Sequence, residues 1–321
     1  MRRKATLMLL GVTLIWGATF VWMRRILLNL EAETEAMGLT TVVAFLVCLR
    51  FVMATMLLPL LPAVRQTVRD PEVWRAGSLL GVVLLVGFVA QMVALGDIDP
   101  STSAFLTSLY VVSTALLAGL FGEGRPSKKL WLGVMLATVG AAFIEGPPHL
   151  TWGWAEAITV FCAVCFAVHI LLTQRYTKRL EPLGLSFTSF LTLAVLAFVI
   201  AFLTLDRSTW GLADLASLAL REGVLLPLIA LGFLGSLVAL VVLNVYQRHL
   251  NPVHASIIYT LEPVWATVYG LALGLVPWTW WILFGGGLLL LGNLSVELRA
   301  AEAPSEERQS VEGPSSEPDV A

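Results

Sequence analysis

Residues 252–266 read PVHASIIYTLEPVWA and residues 100–114 read PSTSAFLTSLYVVST. Laid 152 positions apart, they match Pro100 with Pro252 and Leu109 with Leu261, and the same shift carries Gly133 onto Gly285 and Gly140 onto Gly292. A shift of 150 superposes an earlier stretch on the middle of the chain and pairs Arg25 with Arg175. The chain therefore reads as two copies of one unit, 1–148 and 149–300. A tail, 301–321, follows; its Glu, Pro and Ser content predicts a disordered, solvated cytoplasmic extension.

Each copy is built from apolar runs. The 321 residues are 58% hydrophobic and only 13% charged, against about 25% charged in an ordinary soluble domain. Ten runs stand between charged or Pro/Gly breaks: 7–28, 38–61, 77–96, 102–122, 130–146, 152–173, 185–205, 223–245, 254–276 and 278–298. A helix of roughly 20 apolar residues crosses a hydrocarbon core of about 30 Å. The runs are continuously apolar, whereas barrel strands alternate over about ten residues. The reading is an all-α integral membrane protein with ten transmembrane helices. Five is an odd number, so the second unit enters the membrane from the opposite side, giving two inverted five-helix repeats with a site expected near the midplane between them.

With the N-terminus inside, 15 of the 20 Lys and Arg residues fall on the cytoplasmic side. Arg24, Arg25, Arg207 and Arg221 fall outside, and Arg50 lies within a span. The positive-inside rule places both termini in the cytoplasm and the protein in the cell inner (cytoplasmic) membrane. The opening Met1-Arg2-Arg3-Lys4 imitates a secretory signal, but with no small-residue cleavage site it reads as the start of a retained first helix. Net charge is −2, so no basic surface invites nucleic acid. Cys48, Cys162 and Cys165 are an odd set inside apolar runs, which argues against a disulfide framework.

Polar residues at membrane depth are the candidates for function. Glu262 lies about ten residues into its run, where an ionised carboxylate must be protonated, paired or wet. It is the candidate proton-coupling group; the rival account is a hinge, because Pro263 lacks an N–H and frees the Tyr259 carbonyl. Helical spacing puts Ser103, Thr107, Tyr110 and Thr114 on one face, and the repeat shift carries them to Ala255, Tyr259, Glu262 and Ala266. These stripes read as cavity walls, against close packing of small residues. Arg50 expects a partner or an anionic group, and Gln91 and Asn244 expect substrate or a neighbouring helix. Cys162, Cys165 and His169 share a helix face but have no clear fourth ligand, so no metal is expected and His169 is read as facing the cavity. Trp16 and Trp265 stand inside spans, as aromatic walls or as packing, while Trp278, Trp280 and Trp281 read as an interfacial belt.

The chain also resembles a known family. Leu14-Ile15-Trp16-Gly17-Ala18-Thr19-Phe20, Leu49-Arg50-Phe51, Gly122-Glu123-Gly124-Arg125 and Leu261-Glu262-Pro263-Val264-Trp265-Ala266, in that order, resemble the EamA type of the drug/metabolite transporter superfamily over about residues 5–298. The resemblance implies a central cavity between the halves and movement of small metabolites, amino acids or drugs, often outward. The fourth span departs from the ninth by carrying Tyr110-Val111 in place of Glu262-Pro263.

No hydrolase elbow, phosphate loop or dinucleotide fingerprint occurs, so the expectation is a secondary transporter, not an enzyme, working without a cofactor. The expected partners are a small-molecule substrate and the lipid bilayer, with monomer and homodimer both open. A membrane-embedded enzyme and a receptor or scaffold are the rival readings. The expected cavity residues are Trp16, Arg50, Gln91, Thr107, Tyr110, His169, Tyr259, Glu262 and Trp265.

Overall fold

The computed structural model describes residues 1–98, 100–122, 126–143, 146–147, 153–274 and 277–302. The Glu123-Gly124-Arg125 element and the tail from 303 onward lie outside the described residues. All regular structure among the described residues is helical. The long helices are α1 (Arg2–Asn29), α2 (Leu39–Met56), α3 (Pro71–Ala94), α4 in two pieces (Pro100–Ser108 and Tyr110–Leu117), α5 (Lys128–Phe143), α6 (Trp154–Thr177) and α7 (Pro182–Thr204). They continue with α8, wound as Leu225–Ala230, a π-helical Leu231–Val238 and Ala239–Tyr246; α9 in two pieces (Pro252–Tyr259 and Glu262–Ala272); and α10 (Trp280–Glu302).

Several starts follow one rule. Asp70, Glu181 and Asn251 each precede a proline, and their side chains accept a backbone N–H from Glu72, Gly184 and Val253 at 2.8–2.9 Å. The side chain satisfies an orphan donor of the first turn while proline, lacking an N–H, leaves none to satisfy.

Among the described residues six helices are long and apolar enough to cross a membrane: α1, α2 with its 3-10 extension, α3, α6, α7 and α8. The apolar stretches of α4, α5 and α10 are shorter, Thr102–Leu117, Leu130–Phe143 and Trp280–Ser295. Leu7, Leu116, Leu203 and Leu226 are among many large apolar side chains left on the outside, as expected where the solvent is lipid.

Helix contacts rest on small residues, because close packing replaces the hydrophobic drive between helices in a bilayer. The α7 helix lies against α2 and α3, α3 against α6, and α1 against α8 and the second piece of α9. A Cβ on Gly77 would strike Thr188, whose hydroxyl donates to the Val73 carbonyl at 3.2 Å. Helices α5 and α10 touch backbone to backbone. A Cβ on Gly140 would stand 2.7 Å from the Gly285 oxygen and 2.6 Å from the Leu289 nitrogen, and one on Gly292 would stand 3.0 Å from the Gly133 oxygen. As numbering rises along α5 it falls along α10, so the pair is antiparallel. Gly140→Val is expected to force these helices apart and lower stability by about 2 kcal/mol, read as the shift in detergent-solubilised unfolding; an unshifted transition contradicts the contact.

Candidate functional site

The two broken helices create the site. The first break falls at Leu109 and the second at Thr260 and Leu261, positions related by the 152-residue shift. Each is tightened by the hydroxyl of the residue before the matching leucines Leu109 and Leu261: Ser108 Oγ donates to the Phe105 carbonyl at 2.7 Å and Thr260 Oγ1 to the Ile257 carbonyl at 2.6 Å. Such back-bonding competes with the helical ladder and bends it. Pro263 adds the missing N–H in α9, whereas α4 breaks without a proline. Immediately after the breaks come Tyr110 and Glu262, equivalent positions that face one cavity.

That cavity has a volume of about 60 Å³. Its wall includes Trp16, Arg50, Gln91, Thr107, Tyr110, His169, Tyr259 and Glu262, eight of the nine residues expected from the sequence, drawn from α1, α2, α3, α4, α6 and α9. Trp265 is not in that wall: its indole N–H donates to Thr13 Oγ1 at 3.0 Å, tying α9 to α1. The contact is possible because Gly17 has no side chain; a Cβ there would lie 2.6 Å from Trp265 Cβ and 2.8 Å from the Ala266 nitrogen.

Aromatic rings form much of the wall. Trp16 meets Tyr259 edge-on at 5.5 Å between centroids, and Phe88 meets Phe166 at 5.4 Å. Phe88, Phe166, Leu84 and Leu240 complete the apolar lining; sequence reading passed over them because a phenylalanine in an apolar run carries no sign of which way it faces. The Tyr110 hydroxyl is buried with no hydrogen-bond partner among the described residues.

Arg50 is 2% exposed and committed to α8. Its Nε donates to Ser236 Oγ at 2.5 Å, Nη2 to the Gly235 carbonyl at 3.4 Å, and its guanidinium lies 4.4 Å from the centre of the Phe88 ring. The Trp16 indole N–H donates to the same Gly235 carbonyl at 3.2 Å. Gly235 and Ser236 sit in the π-helical turn, a form enriched at functional sites. Arg50 and Glu262 line the same cavity.

Other polar groups join helices. Gln91 Nε2 donates to Thr107 Oγ1 at 3.2 Å, Asn244 Nδ2 to Ser186 Oγ at 2.8 Å, and the Tyr259 hydroxyl to Gln247 Oε1 at 3.0 Å. Gln247, which sequence reading did not single out, also donates to the Ile170 carbonyl at 2.8 Å. Its polarity at the end of a long apolar helix was the available signal.

The fold is similar to a solved crystal structure at a TM-score of 0.69, with 18% identity over 95% of this chain and all of the other. A protein of Archaeoglobus fulgidus described as an uncharacterized transporter is 27% identical over 300 residues, covering 93% of this chain and 87% of that one. The model of the EamA-like transporter family matches twice, at residues 3–146 and 153–296. The protein is thus a multi-pass membrane protein made of two EamA repeats, and it belongs to the EamA-like transporter family.

Proposed function

We propose that this protein is a secondary transporter that moves a small organic solute (a metabolite, an amino acid or a drug) out across the cytoplasmic membrane by alternating access. The observation that carries the reading is the pair of equivalent helix breaks that bring Tyr110 and Glu262 to one cavity. Interrupted helices at corresponding places in two repeats mark the binding site of many secondary transporters. The antiparallel contact of α5 with α10, equivalent helices of the two units, supports ten spans in two inverted repeats, 1–148 and 149–300, and the Lys and Arg distribution supports cytoplasmic termini. The export direction rests on the family resemblance.

Trp16, Tyr110, Tyr259, Thr107, His169 and Glu262 form the solute-facing wall, Gln91 and Arg50 brace it, and Trp265 supports it from behind. A drug-sized ligand needs roughly 300–1,000 Å³, and the cavity has about 60 Å³. Binding a solute of that size therefore requires the cavity to widen. Glu262 supplies the one acidic group in the wall, where exchange of a proton for solute would couple transport to a pH gradient.

The test is flux in reconstituted vesicles with a panel of metabolites, amino acids and cationic drugs. Saturable flux driven by an imposed pH gradient is expected from the native protein, and Glu262→Gln is expected to abolish its response to that gradient. Product formation without flux supports the enzyme reading instead, and pH-driven flux unchanged in Glu262→Gln removes the coupling role.

A further inference from the structure

A second cleft opens on the outside of the bundle, where α1 faces the π turn of α8 and the end of α9. It has a volume of about 440 Å³, and its walls include Leu14, Ala18, Trp22, Leu234, Tyr269 and Leu273. That volume lies within the roughly 300–1,000 Å³ of ligand sites. Leu14, Leu234 and Leu273 are exposed there. Only Tyr269 and Trp22 bring a polar side-chain atom to the lining. The Tyr269 hydroxyl is already used, donating to the Leu14 carbonyl at 3.0 Å. The cleft is separate from the cavity, because Trp16 leaves the other face of α1 to line that site.

The apolar stripe ends on a charge. Leu14, Ala18, Val21 and Arg25 follow one another at helical spacing, so Arg25 continues the face that lines the cleft, one turn beyond it. Arg25 is exposed and makes no hydrogen bond or ion pair among the described residues. Its neighbour Arg24 is satisfied within the protein, donating from Nη1 to the Leu95 carbonyl at 3.1 Å. From Leu14 to Arg25 the chain advances eleven residues, about 16 Å along a helix. Half of a hydrocarbon core about 30 Å thick is about 15 Å. The stripe therefore has the length of one leaflet, with Tyr269 closing its foot near mid-depth and a free guanidinium at its head.

We propose that this cleft binds an anionic phospholipid, with one acyl chain lying along residues 14–22 and the phosphate on Arg25. The guanidinium fork matches phosphate oxygens, and Trp22, three residues before Arg25, is the residue type that settles at the membrane–water interface. A second copy of the chain would need an acidic group at that interface and an apolar ridge of the same length below it. A phospholipid carries both and is present at that depth.

The test is photocrosslinking of the full-length protein in phosphatidylethanolamine vesicles doped with phosphatidylglycerol that carries a diazirine at the end of one acyl chain. Adducts on the peptide holding Leu14, at the foot of the cleft, are expected to exceed those on Val195 and Leu291, which are exposed near the middle of α7 and α10. The expected excess is about fivefold, the effect of one arginine on an anionic headgroup. A diacylglycerol probe with the same chains is expected to show no such excess, and Arg25→Gln is expected to remove it for phosphatidylglycerol. Ala18→Trp fills the cleft and is expected to remove the adducts at its foot. Leu273→Trp narrows the cleft from α9 with the same expected result, so a variant that fails to fold leaves the other to decide. Even labelling of every lipid-facing helix means that ordinary bilayer lipid covers the cleft, and it overturns the proposal, as does an excess that survives Arg25→Gln. Disulfide-linked dimers of Ala18→Cys, made without Cys48, Cys162 and Cys165, place a second chain in the cleft and also overturn it.

Discussion

Gly17→Val is expected to abolish flux and to destabilise the protein by about 3 kcal/mol, at the upper end of the usual cost of overpacking. The added Cβ would meet Trp265 Cβ at 2.6 Å, the Ala266 nitrogen at 2.8 Å and the Glu262 oxygen at 3.0 Å. Two of those three atoms are backbone, so a rotamer change cannot relieve them. Helix α1 must move away, which breaks the Trp265–Thr13 bond and shifts Glu262 in the cavity wall. Thermal unfolding in detergent together with vesicle flux checks the result. Gly17→Ala places the same Cβ there and is expected to show a smaller loss of the same kind; a wild-type melting temperature in both variants contradicts the packing.

Arg50→Met is expected to cost about 3 kcal/mol, the upper end of the usual penalty for leaving buried hydrogen-bond partners unsatisfied. The loss is larger than the missing volume implies because the Ser236 hydroxyl and the Gly235 carbonyl lose a charged donor while remaining buried. The double variant Arg50→Met with Glu262→Gln removes the unbalanced acid as well and is expected to recover at least 1 kcal/mol relative to the sum of the two single changes. Strict additivity in this cycle means that the two groups do not feel each other across the cavity, and it leaves Arg50 with only its role on α8.

Order and identity of the helices were legible from apolar runs, and the repeat was legible from Pro100, Leu109, Gly133 and Gly140 with their counterparts. The cavity residues were legible where polarity was costly, as at Glu262, Arg50 and His169, because a polar group in lipid needs a reason that an apolar one does not. The breaks were only half legible. Pro263 announced one, but α4 bends with no proline, and Ser108 resembles any other serine until its hydroxyl is seen bonded to Phe105. The same two breaks divide α4 and α9, so the lengths of their runs overstated the unbroken helix available to cross the membrane. Trp265 looked like a cavity residue because an aromatic ring inside a span suits a substrate wall, yet the close approach of Gly17 draws its ring toward α1. The π turn of α8 had no signature either: Gly235 and Ser236 become legible only once Arg50 and Trp16 are seen converging on them.

The glycine contacts between α5 and α10 bear on the motion that alternating access would require. Gly133 and Gly140 are two turns apart, about 10 Å, and at both places one backbone sits against the other with no side chain between. Sliding one helix along its neighbour would drive Leu289 or Leu136 into the opposing main chain. Tilting about the line of contact meets no such obstacle. Under the alternating access proposed above, the pair would serve as a fulcrum on which one half rocks against the other without shear.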